Sequence, residues 1–233
     1  MGSICKKLKE KDIGAIGIGA MIVFIAMVLV AGIAASVLIQ TSSKLETQAM
    51  QTGQETTAEV ASGVDIEDIK GYATTGADIK YLAITVRPRA GSEEIDLSAA
   101  FIELSDSSSK LVLTYTSDEF QLAADVDGDL FTTTFYDTME ANEFSVVVIE
   151  DADDSCTSGT PVINRGDKVA LTVYVGNTDG FGTIPERTNM WGMVVPEEGA
   201  VGIVSFTTPS SYTKNIMDLQ WGGWKKWTSL LNY

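Results

Sequence analysis

Histidine is absent from this chain of 233 residues. With it go the commonest general base near neutral pH, the commonest zinc ligand and every catalytic triad built on imidazole. Cysteine is nearly absent, with only Cys5 and Cys156. If the basic leader is removed, as argued below, Cys156 alone remains and an internal disulfide is excluded. It then reads as a small buried hydrophobe or as a partner for a second subunit. Positive charge is scarce: 16 Lys and Arg face 32 Asp and Glu, a formal net charge of -16. Phosphate contacts need a basic face, so a nucleic-acid partner is excluded. No GxxxxGK[ST] loop is present to cradle nucleotide phosphates, and no Asn-x-Ser/Thr triplet to accept an N-linked glycan. O-linked sugars stay open, since Ser and Thr are plentiful. No nucleophile and base can be paired, and the chain is not expected to be an enzyme.

What is abundant is apolar surface in one place. From Ala15 to Ile39 the only polar side chain is Ser36, and no charge occurs between Asp12 and Lys44. A helix of about 20 such residues crosses the hydrocarbon core of a bilayer. Thirteen residues of the run are Ile, Val, Leu or Phe, worth about -4 to -8 kcal/mol toward insertion. Lys6, Lys7, Lys9 and Lys11 precede it and outnumber Glu10 and Asp12. That excess keeps the N-terminus in the cytoplasm and puts the acidic remainder outside. Without the first 14 residues, 12 basic and 30 acidic residues remain, a formal charge of -18. The run admits three readings: a secretory signal cut near Ala34-Ala35-Ser36, a plain membrane anchor, or a segment kept in the mature product after cleavage in front of it.

The third reading has particular residues behind it. A Lys-rich leader ends at Gly14 and is followed by Ala15-Ile-Gly-Ile-Gly-Ala-Met-Ile-Val-Phe-Ile-Ala-Met-Val-Leu-Val-Ala. This closely resembles the start of mature archaeal flagellins, or archaellins, relatives of the type IV pilins. The likeness continues through Ala34-Ala-Ser-Val-Leu-Ile, Thr52-Gly-Gln-Glu and Val60-Ala-Ser-Gly. Near the other end, Pro185-Glu-Arg-Thr, Val195-Pro-Glu-Glu-Gly-Ala and Phe206-Thr-Thr-Pro-Ser-Ser-Tyr212 also look like that family. The resemblance implies cleavage by a prepilin-type peptidase between Gly14 and Ala15. Asp12 and Ile13 separate that Gly from Lys11, where family leaders place basic residues directly before it, so Gly17 and Gly19 stay open as cleavage sites. Bacterial type IV pilins typically carry Glu at the fifth mature position, which is Gly19 here, and this favours archaellin.

Residues 15–62 are expected to form one helix, apolar on all sides at first and amphipathic after Ile39, ending at Gly63. A rod of roughly 72 Å cannot be buried by one small domain. It must lie in lipid or among copies of itself. The residues expected to pack in such a filament core are Ile18, Ile22, Phe24, Ile25, Val28 and Leu29. Ala31 with Ala35 and Gly32 with Ser36, four residues apart, would let helix backbones approach closely, although small residues are common in membrane helices.

Residues 63–220 look β-rich, with candidate strands at 79–87, 100–104, 111–116, 144–150, 169–175, 190–195 and 201–207. Short strands at this density suggest a sandwich or a barrel, and the resemblance implies an Ig-like sandwich outside the cell. The fold class is therefore α+β: a long pilin-like helix, then an all-β domain. No cofactor is expected unless calcium binds Asp125, Asp127 and Asp129, or Asp151, Asp153 and Asp154; the first group has Gly in fourth place rather than the sixth of an EF-hand loop, and ordinary solvated turns are the expected reading. The tail 221–233 carries Trp221, Trp224 and Trp227 at helical spacing, able to dock on its own domain or to clasp a neighbour.

These expectations describe an extracellular filament subunit for swimming, a homopolymer whose precursor sits in the membrane. The resemblance implies that a cytoplasmic motor and platform complex turns the filament. An adhesive pilus subunit and a monomeric membrane-anchored binding domain are the alternatives.

Overall fold

A computed structural model describes residues 2–74, 77–131, 136, 139–140, 142–176 and 181–221. Two units are distinct, Met1–Glu55 and Thr56–Tyr233. Helix α1 (Gly2–Ala61) fills the first and ends in the second. Its 60 residues correspond to roughly 90 Å of helix. The helix begins 13 residues earlier than Ala15 and passes through Gly14–Ala15 unbroken, since Lys, Leu and Glu in the leader are good helix formers. It stops one residue short of Ser62, whose N–H still closes the last turn on the Ala58 carbonyl at 2.7 Å. No basic residue in the last turn complements the helix dipole. What ends α1 is the chain's capture by the sheet that follows.

That sheet is built from β1 (Val64–Ala73), β2 (Ile79–Pro88), β4 (Phe101–Ser105), β5 (Lys110–Tyr115), β6 (Gln121–Leu122), β7 (Glu143–Glu150), β9 (Lys168–Tyr174), β10 (Asn189–Val195), β11 (Gly202–Thr207) and β12 (Ile216–Trp221). Two short strands, β3 (Ile95–Asp96) and β8 (Val162–Ile163), pair separately. The order across the large sheet is β11-β10-β4-β5-β7-β9-β2-β1-β12, antiparallel except where β5 and then β6 run parallel to β7. All seven candidate strands are present, with ends moved by no more than one residue. Of the two all-β arrangements expected, the structure is barrel-like: one sheet curls until its end strands nearly meet.

Curling puts alternate residues inside. Leu82, Ile84, Val86, Ile102, Leu104, Leu113, Phe144, Val146, Leu171 and Val173 form the main core and are almost wholly buried. Each such side chain stabilises the fold by about 1.5–3 kcal/mol relative to exposure. Strands β2, β7 and β9 are also covered on their outer face, which explains why they read as continuous apolar runs rather than alternations. Their cover comes from the segment after β6. Phe131, Tyr136 and Met139 pack with Tyr81, Ala83, Val147 and Ala170 in a second small core. Its rings are in contact, with Tyr81 and Tyr136 centroids 4.5 Å apart and Tyr72 and Phe131 centroids 5.5 Å apart.

The end strands are stitched rather than paired. Gln220 on β12 accepts a hydrogen bond from the Ser205 N–H at 2.6 Å and donates to the Ile203 carbonyl at 3.2 Å. A side-chain amide thus takes the place of a backbone ladder between β12 and β11. Trp221 closes β12 opposite Asp68, which corrects the boundary drawn at 220 and the helical spacing assumed for the tail from that residue. Trp224 and Trp227 lie outside the described residues.

Replacing Gln220 by Ala should leave the fold intact, cost about 1 kcal/mol and speed hydrogen exchange at the Ser205 amide, which thermal unfolding and exchange by NMR would measure. Unchanged exchange at Ser205 would mean that the seam does not depend on this amide.

Candidate functional site

Two features stand out for a function: the uncovered helix and the joint that fixes it to the barrel. Along α1 every side chain from Ile16 to Glu55 is exposed. The exposed residues include the runs Met21-Ile-Val-Phe-Ile25 and Met27-Val-Leu-Val30, so no face of the helix is excused from water. Ile25 is 53 % exposed and Val28 54 %, although both are as apolar as the barrel core. The segment is long and apolar enough to cross a membrane. The residues expected to pack in a filament core, Ile18, Ile22, Phe24, Ile25, Val28, Leu29, Ala31, Gly32, Ala35 and Ser36, all lie on this uncovered surface. A Cβ added at Gly17, Gly19 or Gly32 would meet no atom within 4 Å. Farther on, the helix satisfies its hydroxyls internally: Thr41 donates to the Leu38 carbonyl and Thr47 to the Ser43 carbonyl.

The joint is the opposite of the helix in its density of contacts. The Ala200 N–H donates to the Ser62 carbonyl at 2.8 Å and the Val64 N–H donates to the Ala200 carbonyl at 3.1 Å. The Gly63 carbonyl accepts from the Arg89 N–H at 2.8 Å and from the Ser92 hydroxyl at 3.2 Å. These contacts tie residues 62–64 to two separate loops. The approach is close enough to demand glycine twice. A Cβ on Gly63 would lie 2.6 Å from the Ala200 carbonyl oxygen, and one on Gly199 would overlap the Ser62 carbonyl. Gly199 also has φ +92, which side chains rarely adopt. Sequence reasoning listed Val60-Ala-Ser-Gly63 and Val195-Pro-Glu-Glu-Gly-Ala200 as separate motifs; the fold brings them together here.

The remaining motif pair also meets. Tyr212 donates its phenol proton to the Ile184 carbonyl at 2.9 Å. Thr208 donates to the Pro185 carbonyl at 2.9 Å, while the Thr188 N–H donates to the Thr208 hydroxyl at 2.8 Å. Pro185–Thr188 and Thr208–Tyr212 therefore brace each other and have a structural role.

Of the acidic turns, Asp125 and Asp129 accept from the Leu122 and Phe131 amides, and Asp127 sits at φ 50. The carboxylates that converge among the described residues are Asp151, Asp153 and Asp167, with ligand atoms within 4.8 Å of one another. They hold their own loop together. Asp151 accepts from the Ser155 and Cys156 amides, and Asp167 from the Asn164 amide. The Asn164 side-chain amide donates to Asp153 and, with Ser155, keeps that carboxyl below its ordinary pKa.

Cys156 is buried beneath this loop. Burial, reinforced by the charges of Asp151 and Asp167, pushes its thiol up to about 12. Burial likewise pushes Tyr115 up to about 12, with the Cys156 thiolate and Asp96 adding repulsion. A raised folded pKa means a contribution fully present below the unfolded value, near 8.5 for Cys, and lost as pH rises toward 12.

The model of the archaeal-type flagellin family matches residues 14–206. The chain is 45 % identical to Flagellin B2 of Methanocaldococcus jannaschii over 212 residues, covering 89 % of this chain and 95 % of that one. It is 40 % identical to Flagellin B3 of Thermococcus kodakarensis, covering 90 % and 98 %. The crystal structure of archaeal flagellin FlaB1 from M. jannaschii superposes with a TM-score of 0.62 at 32 % identity, over 70 % of this chain and 100 % of that one. The archaeal flagellum of Methanospirillum hungatei shares the fold, with a TM-score of 0.59 at 16 % identity over 86 % and 98 %.

Two measurements check the joint and the thiol. Gly199→Ala should lower stability by about 3 kcal/mol, against about 1 kcal/mol for Gly91→Ala, because Gly91 has a similar φ of +97 and open space around it; equal losses in thermal unfolding would remove the close approach as the cause. At pH 8 the Cys156 thiol should resist a chromogenic disulfide reagent until the domain unfolds, and should be attacked in the folded state only as pH climbs past about 11. Prompt reaction at pH 8 would contradict its burial.

Proposed function

This chain belongs to the archaeal-type flagellin family and is a structural subunit of the archaellum filament, and we propose that it reaches that filament through a membrane-held precursor whose apolar helix is retained. The observation that carries this reading is the uncovered apolar surface of residues 16–39. About 25 cal/mol is lost for each Å² of such surface left in water, so a free subunit in solution is unfavourable. Lipid covers the helix before assembly, and identical helices cover it afterwards. The Lys-rich leader holds the N-terminus inside, a prepilin-type peptidase cuts between Gly14 and Ala15, and the barrel unit is delivered outside.

The proposed role is mechanical rather than catalytic. Close-packed apolar helices resist bending. A cytoplasmic ATP-driven motor and its platform supply the torque. The acidic barrels, within a mature charge of -18, keep filaments dispersed. The exposed stripe also fits an adhesive pilus subunit, which shares this assembly; loss of swimming with attachment intact separates the two.

Ile25→Asp or Val28→Asp should abolish filaments, because each puts a charge into the packed core. Electron microscopy of sheared cells reads the outcome, and N-terminal sequencing of the sheared product should begin at Ala15. Intact filaments from either variant, or a product lacking residues 15–39, would refute the proposal.

A further inference from the structure

Cations are rare on the barrel unit and are not evenly spread. Residues 56–221 carry nine Lys and Arg, and four of them, Arg87, Arg89, Arg165 and Lys168, line one cleft of about 680 Å³, in which they outnumber the acids Asp65, Glu150 and Asp167. Arg87 is paired with Asp65 at 3.2 Å and Lys168 with Glu67 at 2.9 Å. Arg89 and Arg165 are exposed and make no ion pair among the described residues. On a chain with 32 acids, two free guanidinium groups side by side are an unusual resource.

Their counterpart lies on the same rim. A smaller cleft of about 230 Å³ is lined by Ser62, Glu93, Glu94, Asp96, Glu197 and Glu198 together with Ile95. No cation lines it, and none of its acids joins an ion pair among the described residues. Glu93, Glu94, Glu197 and Glu198 are exposed. Both clefts flank the joint, for Arg89 donates its N–H to the Gly63 carbonyl and Ser62 itself lines the acidic cleft. They are nevertheless made by different strands. The basic cleft stands over the ends of β1, β2, β7 and β9, while the acidic cleft lies at β3 and the β10–β11 turn.

We propose that the basic cleft at Arg89 and Arg165 receives the acidic Glu197–Glu198 turn of the next copy of this chain. The proposal rests on the filament reading above. Both clefts lie beside residues 62–63 in every copy of the chain. Two different patches meeting make a heterologous contact, which extends as an open helical array instead of closing a dimer. Opposite charge gives such a contact orientation and salt sensitivity. It also answers a problem posed by the net charge: acidic barrels held side by side repel unless cations on one face meet acids on the next.

The test is a cysteine pair. Filaments assembled from Arg165→Cys/Glu198→Cys chains, treated with a mild oxidant, should give a ladder of covalent multimers on a denaturing gel. Either single variant should give monomer, since Cys156 is buried. A second measurement uses charge. Arg89→Glu/Arg165→Glu should shift the salt or heat tolerance of filaments downward, and adding Glu197→Lys/Glu198→Lys should restore most of the loss. Sound filaments with only monomer on the gel and no response to charge reversal would overturn the contact. So would filaments indifferent to Arg reversal but dispersed by a chelator, which would assign the acidic cleft to a bound cation. If the unaltered chain forms no filament, the assembly reading fails rather than this contact.

Discussion

The constraint from which the rest follows is a helix that is apolar on every side and has no partner in its own chain. A surface helix normally buries one stripe against its domain and solvates the other. Here Phe24, Ile25, Val28 and Leu29 are all more than half exposed. Such a segment has two stable surroundings, hydrocarbon and more of itself, and the passage from one to the other is assembly. Dispersion contacts in a close-packed bundle replace those made with lipid. Gly17, Gly19 and Gly32 have open space where a Cβ would stand.

Past the helix, the barrel holds the chain at Ser62, Gly63 and Val64 through hydrogen bonds with Arg89, Ser92 and Ala200. Main-chain groups of Arg89 and Ala200 and the Ser92 hydroxyl make these contacts, and the closeness of the approach makes the two glycines necessary. The barrel is itself fastened at its seam by Gln220.

Charge works at a longer range. The acidic surface keeps filaments apart and soluble, and it would also push neighbouring barrels apart within one filament. Screening over roughly 10 Å at 0.1 M salt weakens both effects. Concentrating the scarce guanidinium groups at one cleft leaves dispersal intact while giving each barrel a local attraction toward its neighbour.

The sequence alone determined the helix, its membrane-competent run and the chemistry it lacks, because twenty-odd uninterrupted apolar residues have few physical meanings. It also located the seven strands whose side chains alternate or run apolar on both faces. Strand β1 was not legible, since a bulge between Ile66 and Asp68 shifts its inside–outside phase and breaks the alternation of Val64, Ile66 and Ile69. Strand β12 was hidden by the Trp residues after it, which suggested a helix from Trp221. The exposure of the helix on every side was readable from the run itself. The joint was not: Gly63 and Gly199 are 136 positions apart, and their need for glycine arises from the Ala200 and Ser62 carbonyls, which occupy the space where a Cβ would stand. Only the tertiary structure decides such contacts, because they belong to two loops at once, whereas the pattern of an apolar helix is complete within its own segment.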